Sequence, residues 1–377
     1  MSKALNSLVE RVRAARSDGR TLAIQGAGSK AFYGEAVHGD RLDTRELSGI
    51  SSYEPSELVL TARAGTPLAD VEAALAERGQ CLPFEPPRFP DPDRPGQRGG
   101  TVGGMVASGL AGPSRASVGG VRDYVLGATL LNGRAEVLSF GGQVMKNVAG
   151  YDVSRLLAGS MGMLGVICEV SLKVLPVAPA SATLRFECSE ADAIERLQAW
   201  GGQPLPLQAS AWWQGALVLR LGGAKAAVDA AVAAFQAQGG DVIEATLAQR
   251  FWGGLRDQTD EFFDQARRSL LDGAAGLWRI SLPAGAAPLA LQGEQLIEWH
   301  GAQRWWVSRE PAAHIRAIAA RAGGHATLYR ARDKAALLAG ASVFEPLQAP
   351  LDRIHRELKT SFDPDRVFNP GRLYPDL

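Results

Sequence analysis

Between Gly99 and Gly165 the chain carries 16 glycines in 67 residues, against 27 in the other 310. Such a density demands positive φ angles or close approach of backbone to something else, because only glycine allows both freely. A ligand-contacting surface is therefore expected in this segment. It is preceded by PFEPPRFPDPDRPGQR, residues 83–98, whose prolines no regular element accommodates, so a loop joining two subdomains is expected there.

The flanking sequence alternates helical and strand patterns. Leu5, Leu8, Val9 and Val12 recur at helical spacing over residues 3–17, followed by a turn at Asp18-Gly19 and a strand TLAIQ that ends at Gly26-Ala27-Gly28-Ser29-Lys30. ELVLTARAG predicts a second strand. A helix then opens at Thr66-Pro67, carries Leu68, Val71 and Leu75 on one face, and stops at Gly79. VRDYVLGATLLNG and AEVLSFGG predict two strands joined at Asn132-Gly133, and GVICEVSLKVLP a further strand ending at Pro176. Beyond it, alanine-rich helices alternate with short strands, and seven of the eight tryptophans lie between Trp212 and Trp306. That shift in composition predicts a second α+β domain.

Lys plus Arg and Asp plus Glu each number 40, and no basic run suited to a phosphate backbone occurs, which argues against nucleic acid. Cys81, Cys168 and Cys188 form no CxxC or Cys/His spacing, so no cysteine metal site and a reducing cytoplasm are expected. No segment is long and apolar enough to span a bilayer, and the N-terminal helix is broken by Glu10, Arg11 and Arg13, unlike a secretory signal. Docking on a membrane partner stays open.

Three glycine segments carry the chemistry. Gly26-x-Gly28-x-x-Ala31 follows a strand and matches the fingerprint whose glycines admit a pyrophosphate to backbone N–H groups. A Rossmann NAD domain also needs a long helix from that loop, and AFYGEAVHGDRL has no sustained 3.6 period. The second segment is GGTVGGMVASG, Gly99 to Gly109, and the third is Lys146-Asn147-Val148-Ala149-Gly150-Tyr151-Asp152 with Gly159, Gly162 and Gly165 before Val166-Ile167. Taken singly, each also reads as a tight turn.

Their succession resembles the flavin domain of the vanillyl-alcohol-oxidase type, the PCMH-type FAD-binding family, over residues 1–176. IQGAGSK, LPFEPP, GGTVGGMVASGLAGPSRASVGGVRDYVLGATLLNG, KNVAGYDVSRLLAGSMGMLGVI and DPDRVFNPGRLY are similar, in order, to FAD-binding subunits of bacterial glycolate oxidases. The resemblance implies an α+β fold with a two-subdomain FAD domain (about 1–98 and 99–176), an α+β cap or substrate domain at 177–355, and a tail at 356–377 returning to the FAD domain. It implies non-covalent FAD, with Gly26, Ala27, Gly28, Ser29 and Lys30 holding the pyrophosphate. Thr101, Val102, Gly103, Gly104, Ser108 and Gly109 would line the ribityl, phosphate and flavin, largely through backbone donors. Val121, Asp123, Lys146, Asn147, Gly165, Val166, Ile167 and Asn369 would complete the pocket.

The same resemblance implies oxidation of a small 2-hydroxy acid such as glycolate, with a second flavin subunit and an iron–sulfur subunit as partners and peripheral placement on the inner membrane through them. Such a reaction needs a cation for the carboxylate and a base for the hydroxyl proton. Arg330 and His325, in GGHATLYR, are the candidates, expected on a face that overhangs the flavin, and His300, Arg304, His314 and Arg332 are the other residues considered. Related catalytic flavin subunits carry a histidine pair that binds a metal. No such pair occurs here, so no metal is expected, and a non-catalytic electron-transfer subunit or a stand-alone flavin reductase of the same fold remain alternatives.

Overall fold

The computed structural model describes residues 2–94, 96, 98–142 and 152–377. The chain divides into two compact units: Met1–Leu110, Gly120–Pro176 and Pro346–Leu377 form one, and Ala111–Gly119 with Val177–Glu345 the other.

In the first unit the helix Lys3–Ser17 is capped by Ser2, whose hydroxyl accepts from Leu5 N, and it buries Leu8, Val9, Val12 and Ala15 at the predicted spacing. These pack with Leu22, Leu42, Leu131, Val166 and Phe368 in one apolar cluster. The strand Leu22–Gln25 pairs in parallel with Asp40–Asp43. Sequence patterning misses that partner because DRLD is mostly charged and only Leu42 faces inward, fully buried. A five-stranded antiparallel sheet runs Ile50–Glu54, Val59–Arg63, Val166–Lys173, Val125–Leu131, Val137–Gly141 in spatial order. It draws strands from both sides of residue 98, so the expected boundary at 98/99 does not follow the sheet.

Two local expectations need correction. Thr66 does not cap the helix Leu68–Ala76; its hydroxyl is bonded to Gly49 N at 2.9 Å, and Pro67 takes the cap position. Asn132-Gly133 is not a two-residue turn. The connection extends to Glu136, with Asn132 Oδ1 accepting from Arg134 N and Glu136 N, and the positive φ (60°) falls on Ala135. Gly133 is required for another reason: a Cβ there would collide with the Asp363 carboxylate.

The segment after residue 346 is part of the first unit. Leu22 N donates to Val367 O at 2.7 Å and Asn369 N to Leu22 O at 3.0 Å, extending the first strand pair with Phe368. Lys359 and Asp363, both buried, pin this tail: the ammonium donates to Asp363 Oδ2 (2.7 Å), Met163 O (2.8 Å) and Phe368 O (2.8 Å), and the carboxylate accepts from Val367 N and Phe368 N.

The second unit is an eight-stranded sheet in the order Asp241–Ile243, Ala180–Glu187, Ala216–Gly223, Leu207–Trp213, Glu294–Glu298, Gln303–Ser308, Gly276–Ser281, His325–Ala331. Apolar clusters in it centre on Phe186, Trp200 and Phe235, and on Trp278, Trp306 and Ile315. Ala111–Gly119 belongs here instead of with the flavin residues that flank it, because Gly112 O accepts from Trp299 Nε1 at 3.0 Å and Ser117 Oγ donates to Leu207 O at 2.9 Å. The unit closes at Glu345, ten residues before the expected boundary at 355.

Candidate cofactor site

The loop Gly26 to Lys30 leaves the end of a strand with five consecutive backbone amides that meet no acceptor among the described residues. Unpaired amides of this kind form a concavity for an anion. Gly28 has φ 71°, and a Cβ there would stand 2.5 Å from Gln25 Nε2. A Cβ on Gly26 would collide with the Thr101 hydroxyl. The Lys30 side chain carries its ammonium to Gly100 and the Phe89 ring. It pairs with no carboxylate among the described residues, sits 5.7 Å from the Phe89 ring centroid, and is pushed down to about 8 by burial. A Cβ on Gly100 (φ 152°) would lie 2.9 Å from that ammonium, so the glycine keeps it clear.

The GGTVGGMVASG segment forms the helix Val102–Ser108, capped by Thr101, whose hydroxyl accepts from Gly104 N at 3.3 Å. Its amides are not free donors, contrary to expectation. Val102 N is bonded to Thr66 O (3.0 Å), Gly103 N to Ala64 O (2.8 Å) and Met105 N to Thr101 O (2.9 Å). The segment therefore contributes shape: Gly103 lets Ala64 approach, since a Cβ would lie 2.7 Å from the Ala64 methyl. Val102 is buried in the core, and the Ser108 hydroxyl bonds back to Met105 O. Gly109 (φ 62°) ends the helix against Gly159.

A cavity of about 70 Å³ is lined by Gly26, Gly103, Gly104, Gly165, Ile167 and Asn369 from the expected set, together with Ile24, Thr44, Ala64, Ala107, Met161 and Gly162. The last six were not among the expected cofactor residues, although Gly162 was read as part of the third glycine segment. Met161 and Gly162 have consecutive positive φ (54° and 76°), for which the glycine run was the one available signal. Asn369 closes the cavity with both ends of its amide engaged. Val166 is core, and Val121 is buried in a short turn that Asp123 caps by accepting from Gly120 N at 2.8 Å. Lys146 and Asn147 lie outside the described residues.

In the second unit, His325 and Arg330 share a strand. His325 faces Ser281 and Arg330 faces Leu277, because the pairing slips between Leu277 and Trp278. Both therefore lie on one sheet face, four partner positions or about 13 Å apart. Burial, and then the nearby Arg279 guanidinium, lower the His325 pKa, with Glu345 opposing. His300 is bound on both sides. Ser117 Oγ donates to Leu207 O and so accepts from Nε2–H at 3.0 Å, while the Ser210 hydroxyl lies 3.0 Å from Nδ1 and accepts from His300 N at 2.9 Å. That inventory suits a neutral ring, and burial lowers its pKa in the same sense. Arg304 is buried and bonded to Glu190, Ala286 O and Ala287 O, a structural placement. Among the described residues no three His, Cys, Asp or Glu side chains come together as a metal site, and no helix is long and apolar enough to cross a membrane.

A loop of amides unpaired among the described residues and a glycine-walled cavity suit a dinucleotide, and residues 3–141 match the family model for the FAD binding domain. The chain is 47% identical over 98% of its length, and 97% of the relative's, to glycolate oxidase subunit GlcE of Escherichia coli (strain K12). It belongs to the family of that subunit. Shorter matches join it to the D-lactate dehydrogenase of Anaerostipes hadrus (33% over 38% of this chain) and to glycolate oxidase subunit GlcD of Bacillus subtilis (29% over 37%), in each case over 28% of the relative. A solved alkyldihydroxyacetonephosphate synthase shares the fold, with TM-score 0.64 and 15% identity over 96% of this chain and 75% of that one. The protein binds FAD and is an FAD-dependent oxidoreductase subunit with an α+β, PCMH-type flavin domain.

Proposed function

We propose that this chain is a flavin subunit that oxidises a small 2-hydroxy acid, glycolate foremost, within a complex whose second flavin subunit and iron–sulfur subunit carry the electrons onward, placing it peripherally at the inner membrane. The observation that carries the reading is the run of five amides from Gly26 to Lys30 that are unpaired among the described residues, in a chain so similar along its whole length to a glycolate oxidase subunit.

FAD, when bound, accepts a hydride at its ring; the protein binds it and orients it. Gly26 to Lys30 would hold the pyrophosphate through backbone N–H groups and the ammonium, and Gly103, Gly104, Gly162, Gly165 and Asn369 would wall the cavity. On the substrate side His325 is the proton acceptor, its pKa lowered by partial desolvation and by Arg279 although the residue is exposed at the end of its strand. Arg330 suits the carboxylate poorly. A two-carbon acid at His325 meets it only if the arginine folds back along about 13 Å of strand.

Anaerobic mixing of the purified chain with glycolate, D-lactate or NADPH, followed by flavin absorbance, tests the reading. Bleaching by glycolate supports it. Bleaching by NADPH alone would make the chain a flavin reductase, and bleaching only within the assembled complex would make it an electron-transfer subunit.

A further inference from the structure

The second unit holds a cation whose placement no motif announces. Arg279 lies on the strand Gly276–Ser281, its side chain on the same sheet face as His325, and it is the diagonal cross-strand neighbour of that histidine. Such neighbours stand about 7–8 Å apart, half the separation between His325 and Arg330. The guanidinium carbon is 5.2 Å from the centroid of Trp299, and its Nε donates to Gln303 Oε1 at 2.9 Å. Gln303 is buried, so this brace is fixed. The guanidinium thus lies over the indole and is braced at Nε, oriented but not neutralised by a carboxylate among the described residues.

The surrounding backbone is built to hold that indole. Trp299 and His300 both take the left-handed conformation (φ 54° and 56°), which non-glycine residues rarely adopt and which persists only where the surroundings enforce it. Enforcement comes from Trp299 Nε1 donating to Gly112 O, from Ser210 and Ser117 on either side of the His300 ring, and from Arg115, whose guanidinium stacks 4.5 Å from the same indole. The acids nearby are otherwise engaged. Glu298 accepts from Trp305 Nε1 at 2.6 Å, Glu345 faces Arg316 at 3.6 Å, and no carboxylate pairs with Arg279 among the described residues.

We propose that Arg279, stacked on Trp299 and braced by Gln303, binds the carboxylate of a small 2-hydroxy or 2-keto acid beside His325. Its planar fork matches a carboxylate in two parallel hydrogen bonds. Trp299, His300 and Gln303 are positioning residues for it. The assignment of the ligand class rests on the function proposed above, while the carboxylate site itself stands on the geometry of this unit.

Isothermal titration of the intact, flavin-loaded chain with oxalate, which is not oxidised, measures the site apart from turnover. Arg279→Lys retains the charge and loses the fork, and a rise in oxalate Kd of about tenfold or more is expected. Arg330→Lys should stay within about twofold of wild type. Should Arg279→Lys fail to fold, Gln303→Met removes only the brace and should still weaken oxalate binding severalfold. Unchanged oxalate affinity in Arg279→Lys, no oxalate binding in the wild type, or sulfate bound as tightly as oxalate would each overturn the proposal. Failure of the broader reading looks different: oxalate would bind through Arg279 while neither glycolate nor D-lactate reduced the flavin of the assembled complex.

Discussion

Asn369 and Ile24, 345 positions apart, are joined by a 2.8 Å hydrogen bond from the Ile24 amide to the Asn369 side-chain carbonyl. The other end of the same side chain donates to Met161 O at 2.7 Å. One buried amide thus ties the start of the glycine loop, the Met161-Gly162 turn and the C-terminal segment into a single cavity wall. Replacing Asn369 by Leu leaves a buried donor and a buried acceptor unmatched, at about 1–3 kcal/mol each. A lowered urea midpoint together with reduced flavin content is the expected result. Full flavin occupancy at unchanged stability would dismiss this role.

Gly28→Val tests the amide run. At φ 71° a β-branched side chain is strained, at a cost of about 1–3 kcal/mol, and the loop can relieve the strain only by turning its amides away. The variant should purify folded and colourless. A yellow protein with wild-type flavin stoichiometry would refute the pyrophosphate assignment.

Lys30 makes opposite pH predictions for binding and for stability. Its folded pKa of about 8 lies below the ordinary 10.5, so with no flavin bound the unfolded chain holds more protons between those values and stability rises as pH increases through that window. On the proposed role of Lys30 at the pyrophosphate, FAD affinity should fall over the same range, because the ammonium loses its charge. Lys30→Met should bind FAD more weakly at pH 7 and show neither trend. Equilibrium dialysis and thermal melting across pH would measure the two effects separately.

Lys359→Met removes the cation from a buried pair and leaves the Asp363 carboxylate uncompensated. Breaking such a pair from one side costs about 3–5 kcal/mol. The variant's denaturant midpoint should drop accordingly, and a midpoint equal to wild type would mean that the tail is held by its backbone bonds alone.

Flavin should be released into the supernatant by acid precipitation. Cys81 is the candidate for attachment among the cysteines outside the deep core, but burial raises its pKa and holds it as the unreactive thiol. Colour retained in the pellet would show a covalent link.

Periodic and glycine-coded features were legible in the sequence: the helix at Lys3–Ser17, the strand ending at Gln25 and the loop after it follow from local pattern. What escaped was fixed by distant contacts. Asp40–Asp43 forms a strand through one inward leucine and a parallel neighbour, and charged flanks hide that. Gly133 looked like a turn glycine and is one only incidentally, since Asp363 sets the requirement from across the unit. The amides of Val102 and Gly103 looked available because nothing local shows that Thr66 and Ala64 already bind them. Left-handed Trp299 and His300 carry no sequence mark at all, and with them Arg279 stayed out of view.

The C-terminal extension of the first strand pair also sets an order of events during synthesis. Leu22 leaves the ribosome early, yet the carbonyl it needs belongs to Val367, so the flavin unit cannot close until the entire second unit has been translated. Residues 177–345 are contiguous and free to fold while the first strand still waits, which reverses the usual N-terminal-first sequence. The part of the cavity wall that Asn369 supplies is therefore synthesised after the second unit, and a nascent chain stalled before residue 346 would hold the glycine loop without it.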